Sequence, residues 1–236
     1  MRLLISFSIK IKTTKFLNSF ILIKKFYKLF LFFLIVSCNS NDNYIELPED
    51  TNNSDDQNEF AEIEYGLTEY GITFQGIDRD FSVYIPESYT HDSPSSMIFV
   101  FHGFGGSNDF IMYTSNFNSI SERENFILVY PQGSSFWGYP HWNVGGWTNG
   151  SSVNDVEFID FLIELISDQY NINQDRVYAS GMSNGGFFSY LLACQLSNKI
   201  AAIASVTGSM TNETFNNCDP TKKFLFYKFT EQRILL

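Results

Sequence analysis

The sequence predicts an α/β domain with a mostly parallel sheet, helices on both faces and an antiparallel hairpin at its start. Three observations carry this. Short, uninterrupted apolar runs such as "SMIFVFHG" have the character of strands buried on both faces. Segments with 3.6-residue apolar spacing separate them. The order strand, helix, strand then repeats along the chain, which is the pattern that builds parallel sheets.

Taken in order, "EYGITFQGIDRDFSVY" (Glu69 to Tyr84) offers two alternating segments around Gly76, Ile77 and Asp78, an antiparallel hairpin. "SMIFVFHG" is a buried strand running to His102 and Gly103, and "NFILVYPQG" (Asn125 to Gly133) repeats the pattern, with residues 109 to 123 helical between them. "NDVEFIDFLIELISDQY" sets Ile159, Leu162, Ile163, Ile166 and Tyr170 on one face, behind an Asn154/Glu157 pair placed like a capping box. Asp155, in the first turn, is expected to serve in helix capping. The strand "RVYAS", a helical "NGGFFSYLLACQL" and the strand "IAAIASVTG" follow.

Charge divides the chain. Seven of the fifteen Lys and Arg precede Cys38, whereas all twenty-six acids follow it, leaving eight bases against twenty-six acids and a net of −18 for the remainder. Such a surface excludes nucleic acid as a partner, because phosphate binding needs clustered Lys and Arg. Lys24, Lys25 and Lys28 lead into "LFLFFLIV", an apolar run too short to span a bilayer, so residues 1–37 are read as a signal peptide. The ending "IVSC" resembles the lipobox of bacterial lipoproteins. Lipidation at Cys38 is therefore expected, with ordinary cleavage near Ser37 as the alternative and the lipid anchor as the sole membrane contact. The basic stretch to Lys28 is longer than a signal requires, so translation is expected to start later. Residues 38–60, polar and acidic, are read as a disordered tether, and residues 61–236 as the domain. Cys194 and Cys218 form an even pair suited to an exported protein. Bonded, they would close a 24-residue loop worth about 3 kcal/mol; two buried free thiols are the alternative.

The chemistry centres on Gly181-Met182-Ser183-Asn184-Gly185, a G-x-S-x-G spacing between a predicted strand and a predicted helix. A serine there sits on a tight corner that only small neighbours permit, so Ser183 is the candidate nucleophile. After the earlier strand, the turn "FHGFGG" offers an N–H at Phe104 as one oxyanion donor, and the N–H of Asn184 is the second. His102 is read as a structural residue of that turn. Tyr139, Trp142 and Trp147 fit either a groove for an aromatic or sugar group or ordinary packing. The three histidines are too scattered for a metal site, and no cofactor is expected.

The runs "FVFHGFGGS", "VYPQG", "WNVGG", "NDVEFIDFLI" and "RVYASGMSNGGFFSYLLACQLSNKIAAIASVTG" resemble the secreted α/β-hydrolase esterases that include polyhydroxybutyrate depolymerases and feruloyl or acetyl-xylan esterases, over roughly residues 65 to 220. The resemblance implies an α/β-hydrolase fold and hydrolysis of a polymeric or carbohydrate-linked ester through an acyl-enzyme on Ser183. It also implies a triad acid and histidine after the serine, in that order. Here His91, His102 and His141 all precede Ser183, and the one later aspartate, Asp219, stands too early for the acid. Where the pattern expects a strand ending in H-G-T-x-D-P, the chain reads "FLFYKFTEQRILL". Shifted by two nucleotides, codons compatible with "FTEQRIL" can spell H-G-T-E-D-P, so a truncation or frameshift between Lys222 and Phe229 is expected. A domain lacking its C-terminal strands, inactive and aggregation-prone, with "IAAIASVTG" as a raw sheet edge, follows from that reading. A surface lipoprotein that binds glycan or polyester without catalysis is the alternative. A prolyl-oligopeptidase-like peptidase shares the corner, but the tether and hairpin leave no room for its gating domain.

Overall fold

The computed structural model describes residue 60 and residues 62–229; the signal peptide, Cys38, nearly all of the tether and the last seven residues lie outside the described residues. The seven-stranded sheet has the order β1-β2-β4-β3-β7-β8-β9. Its members are β1 (Gly66–Phe74), β2 (Ile77–Ile85), β3 (Ser95–Phe101), β4 (Phe126–Pro131), β7 (Ile172–Met182), β8 (Ile200–Val206) and β9 (Leu225–Phe229). β1 and β2 run antiparallel, as do β2 and β4; every pairing from β4 across to β9 is parallel.

The hairpin turn lies at Gln75 and Gly76, one residue earlier than the sequence suggested, and both have positive φ (51° and 76°). That backbone matches the right-handed twist of the flanking strands and selects glycine at the second position. The helical stretch after β3 divides into α1 (Asn108–Ser115) and α2 (Phe117–Glu124), broken by Asn116 in the left-handed conformation. Two short strands, β5 (Ser134–Phe136) and β6 (Tyr139–His141), form a second hairpin closed by Trp137 and Gly138. A single 3-10 turn at Gly146–Thr148 leads on to α3 (Asp155–Gln169). The corner after β7 opens α4 (Asn184–Gln195), and α5 (Asn212–Asn216) follows β8.

Alternation along β3 divides the core. Met97, Phe99 and Phe101 pack with Phe158, Ile159, Leu162, Ile163 and Ile166 of α3 and Phe188 and Leu192 of α4 on one face. Val100 joins Ile111, Leu128 and Tyr130 on the other, under α1 and α2. Two departures from the sequence reading stand out. Phe60, assigned to the tether, stacks on the His91 ring at 4.7 Å. Among the described residues the edge of the sheet is β9, not β8, because Leu225–Phe229 finds a ladder along β8 although all five of its residues are exposed. Cys194, at the end of α4, is bonded to Cys218 in the loop leading to β9.

Candidate active site

β3 and β7 are the central pair, and chain connections diverge there, leftward through β4 and rightward through β8 and β9. The carboxyl ends of such a pair form the crevice where α/β sheets bind ligands. Both candidate loops, Gly103 to Gly106 and the Ser183 corner, emerge at that end.

Ser183 has φ 52° and ψ −116°, a conformation sparsely populated by non-glycine residues. The surroundings hold it there. Its N–H donates to the Val206 carbonyl (2.8 Å), and its carbonyl accepts from the Phe187 N–H (2.9 Å). A Cβ on Gly185 would run into the Phe101 and His102 carbonyl oxygens, and one on Gly181 would strike the backbone of Gly185. These two glycines therefore let helix and strand approach to backbone contact, while the Ser183 side chain stays exposed.

Gly103 faces the serine closely enough that a Cβ there would lie 3.6 Å from that of Ser183. The next amide, of Phe104, and the amide of Asn184, first in α4, have no hydrogen-bond partner among the described residues. A helix N-terminus favours developing negative charge, so the Asn184 amide has the electrostatic character that an oxyanion donor needs.

A contact the sequence did not reveal joins the two sides. The Asn184 carboxamide accepts from the Trp142 N–H (2.7 Å) and donates to the Trp142 carbonyl (3.0 Å), while the Trp142 indole N–H donates to the His102 carbonyl (3.0 Å). Trp142 is fully buried, stacked on Phe188 and edge-on to Phe101. It is a packing residue that holds both candidate oxyanion segments. Trp147 and Tyr139 differ from it: both are about half exposed and flank Phe104.

The histidines are committed elsewhere. His102 donates from Nδ1 to the Gly103 carbonyl (2.7 Å), and its Nε2 accepts from the Gly133 N–H (2.9 Å). Burial pushes its pKa down to about 4, so the ring is neutral at pH 7. His141, equally buried, contacts the Ser134 carbonyl through Nδ1 and the Ser151 hydroxyl through Nε2, both at 2.8 Å. His91 contacts the Tyr89 hydroxyl through Nδ1 (3.0 Å), beside the loop that enters β3 at its amino end. None of the three is hydrogen-bonded to Ser183.

Asp155 is not the helix cap. Asn154 is, its side chain accepting from the Glu157 N–H (3.2 Å), whereas Gln75 takes the Glu157 carboxylate that a full capping box would return to residue 154. Asp155 pairs in the interior with Arg79 at 2.8 Å and accepts from the Asn143 N–H at 2.7 Å. Arg79, a charged residue on the same phase of β2's alternation as Phe81 and Val83 and between the outward Asp78 and Asp80, was the available signal for this pair. The Arg79 guanidinium also lies over the Phe158 ring, 4.0 Å from its centroid. Among the described residues no group of three or more His, Cys, Asp or Glu is gathered as a metal would require.

Residues 74–221, more than half of the chain, match the family model described as "Putative esterase". The chain belongs to this esterase family. The chain is 28% identical over 156 residues to feruloyl esterase D of Neurospora crassa, covering 61% of the present chain and 50% of that protein. It is 31% identical over 143 residues to feruloyl esterase C of Emericella nidulans (60% and 51%). It is 32% identical over 134 residues to the bifunctional acetylxylan esterase/xylanase XynS20E of Neocallimastix patriciarum (57% and 18%). The chain thus spans about half the length of the two feruloyl esterases and less than a fifth of the bifunctional enzyme. Among solved structures, the S-formylglutathione hydrolase of Agrobacterium tumefaciens superposes with a TM-score of 0.56 at 12% identity, covering 74% of this chain and 79% of that one. A thermostable esterase superposes with a TM-score of 0.54 at 13% identity (71% and 56%). These likenesses establish the α/β-hydrolase fold.

Proposed function

We propose that this chain carries the nucleophile of a serine ester hydrolase acting on plant cell-wall or polyester substrates, with feruloyl, acetyl or hydroxybutyrate ester bonds as the candidates. The observation that carries the reading is Ser183 itself, exposed on a strained corner between β7 and α4 and held by glycine contacts on both sides. In the proposed reaction Ser183 Oγ attacks the ester carbonyl carbon. The carbonyl electron pair moves onto oxygen, where the Phe104 and Asn184 N–H groups stabilise it. Collapse expels the alcohol and leaves an acyl-serine, which water then hydrolyses. Export with a lipid anchor on Cys38 belongs to the same reading, through the basic and apolar leader.

The proton on Oγ needs a base, and the three histidines of these 236 residues are held by other partners. His91, His102 and His141 are therefore not placed to take the Ser183 proton, the step that a triad histidine supplies in such hydrolases. That same observation favours a second reading, in which the chain binds glycan or polyester at the surface without cleaving it. Incubation with a fluorophosphonate followed by peptide mass spectrometry tests the first. Slow adduct formation confined to Ser183 and abolished by Ser183→Ala is expected; adducts only at other residues, or none, would overturn the nucleophile assignment.

A further inference from the structure

Among the described residues, Arg79–Asp155 is the one ion pair buried on both sides, with side chains 2% and 0% exposed. Burying two charges stabilises a fold little, because desolvation offsets most of their attraction. What the pair touches suggests another use.

Asp155 divides its oxygens between two partners. Oδ1 takes the Arg79 guanidinium, and Oδ2 accepts from the Asn143 N–H at 2.7 Å. That N–H shares one planar peptide unit with the Trp142 carbonyl, which accepts from the Asn184 carboxamide at 3.0 Å. A charged acceptor on the N–H polarises the unit and strengthens the bond at its carbonyl. Asn184 Oδ1 accepts in return from the Trp142 N–H at 2.7 Å, so both polar atoms of this side chain are held. The backbone N–H of the same Asn184 is one of the two proposed oxyanion donors.

Arg79 reaches the other donor by a matching route. Its Nη2 donates to the Gln132 carbonyl at 3.4 Å, and the N–H of that same peptide unit, on Gly133, donates to His102 Nε2 at 2.9 Å. His102 Nδ1 donates in turn to the Gly103 carbonyl at 2.7 Å. The N–H of the Gly103–Phe104 peptide is the other proposed donor. Each partner of the ion pair thus fixes one peptide, and each peptide orients the side chain that sets one donor.

We infer that Arg79 and Asp155 are positioning residues for the oxyanion donors, holding the Asn184 and Phe104 N–H groups in place relative to Ser183. The inference rests on the reading of Ser183 as the attacking residue. A pair that served the fold alone would be replaceable by apolar side chains of similar size, since removing both charges together is often neutral or stabilising. The full chain carrying Arg79→Met/Asp155→Leu makes that exchange, and its urea midpoint should equal or exceed that of Asp155→Asn. In both variants, fluorophosphonate adduct formation at Ser183, followed by peptide mass spectrometry, should run about tenfold or more slower than in the unaltered chain. A second readout needs no adduct. The Trp142 indole N–H, which donates to the His102 carbonyl, should lose about tenfold or more of its protection from deuterium exchange by NMR. An unchanged adduct rate in the double variant would overturn the inference and leave the nucleophile assignment standing. No adduct in the unaltered chain would overturn that assignment, and Trp142 protection then decides the positioning: lost in the variants, the inference holds; unchanged, it falls. Where the double variant does not unfold cooperatively, Asp155→Asn decides by the same two readouts, at a temperature where its near-ultraviolet circular dichroism matches the unaltered chain.

Discussion

The corner at Ser183 and the strand β9 lie at opposite extremes of packing within one sheet. Around the serine, Gly181 and Gly185 approach neighbouring backbone too closely for a single added carbon, and Trp142 and Asn184 are buried with the Asn184 carboxamide bonded to the Trp142 backbone. Along β9 every side chain is exposed, including Leu225, Phe226, Tyr227 and Phe229, and the ladder to β8 is its main attachment. The difference shows that a hydrogen-bonded strand and a positioned strand are different achievements. Backbone pairing sets register, but only dense contact on all sides fixes a side chain in a strained conformation.

Breaking the dense region should cost most at its buried charge. Asp155→Ala leaves the Arg79 guanidinium in the interior without its partner, and urea denaturation is expected to show a loss of about 3–5 kcal/mol. Acid attacks the same region through His102. Its folded pKa of about 4 lies below the unfolded value, so its contribution is complete above about pH 6.5 and is lost as pH falls toward 4. That amounts to about 3 kcal/mol, and His102→Gln should flatten this part of a stability profile measured between pH 7 and pH 4. The Cys194–Cys218 bond is the staple between the two regions, from the end of α4 to the loop before β9. Replacing both cysteines with alanine should lower stability by about 3 kcal/mol in a denaturant titration under oxidising conditions.

Smaller perturbations sharpen the contrast. Trp142→Phe keeps a buried ring but strips the donor from the His102 carbonyl, for an expected loss of about 1–3 kcal/mol by thermal unfolding. On β9, Leu225→Lys should change stability by no more than about 0.5 kcal/mol, because the side chain is 68% exposed. It should nevertheless reduce self-association in sedimentation velocity, since charge on an open edge opposes strand-to-strand pairing.

The parts of this architecture that repeat a simple period were legible in the sequence. Ile159, Leu162, Ile163 and Ile166 are buried on α3, as is Tyr170 just past its end, and "SMIFVF" lies in a strand covered on both faces. The tight corner at Ser183 was legible because its glycines act locally, within five residues. What the sequence concealed depends on partners far along the chain. Arg79 and Asp155 meet across 76 positions, and Asn184 finds the Trp142 backbone across 42. Asp155 therefore resembled a helix cap, because local spacing offers a cap and cannot display a buried arginine. The division of "SNDFIMYTSNFNSISEREN" into α1 and α2 turned on one asparagine, Asn116, in the left-handed conformation that asparagine adopts more readily than most residues but does not require. β9 was concealed for another reason: the ladder along β8 gives it a place that its exposed residues alone do not specify.

The tryptophans give the molecule a built-in pair of optical reporters. Trp142 is wholly enclosed between Phe101 and Phe188, whereas Trp137 and Trp147 are 80% and 49% exposed. Emission should therefore contain a short-wavelength component that acrylamide does not reach and a longer-wavelength component that it quenches. The first component monitors the contacts that join the Ser183 corner to the loop after β3, and the second monitors the turns that bear Trp137 and Trp147, so one spectrum distinguishes an altered corner from an altered surface.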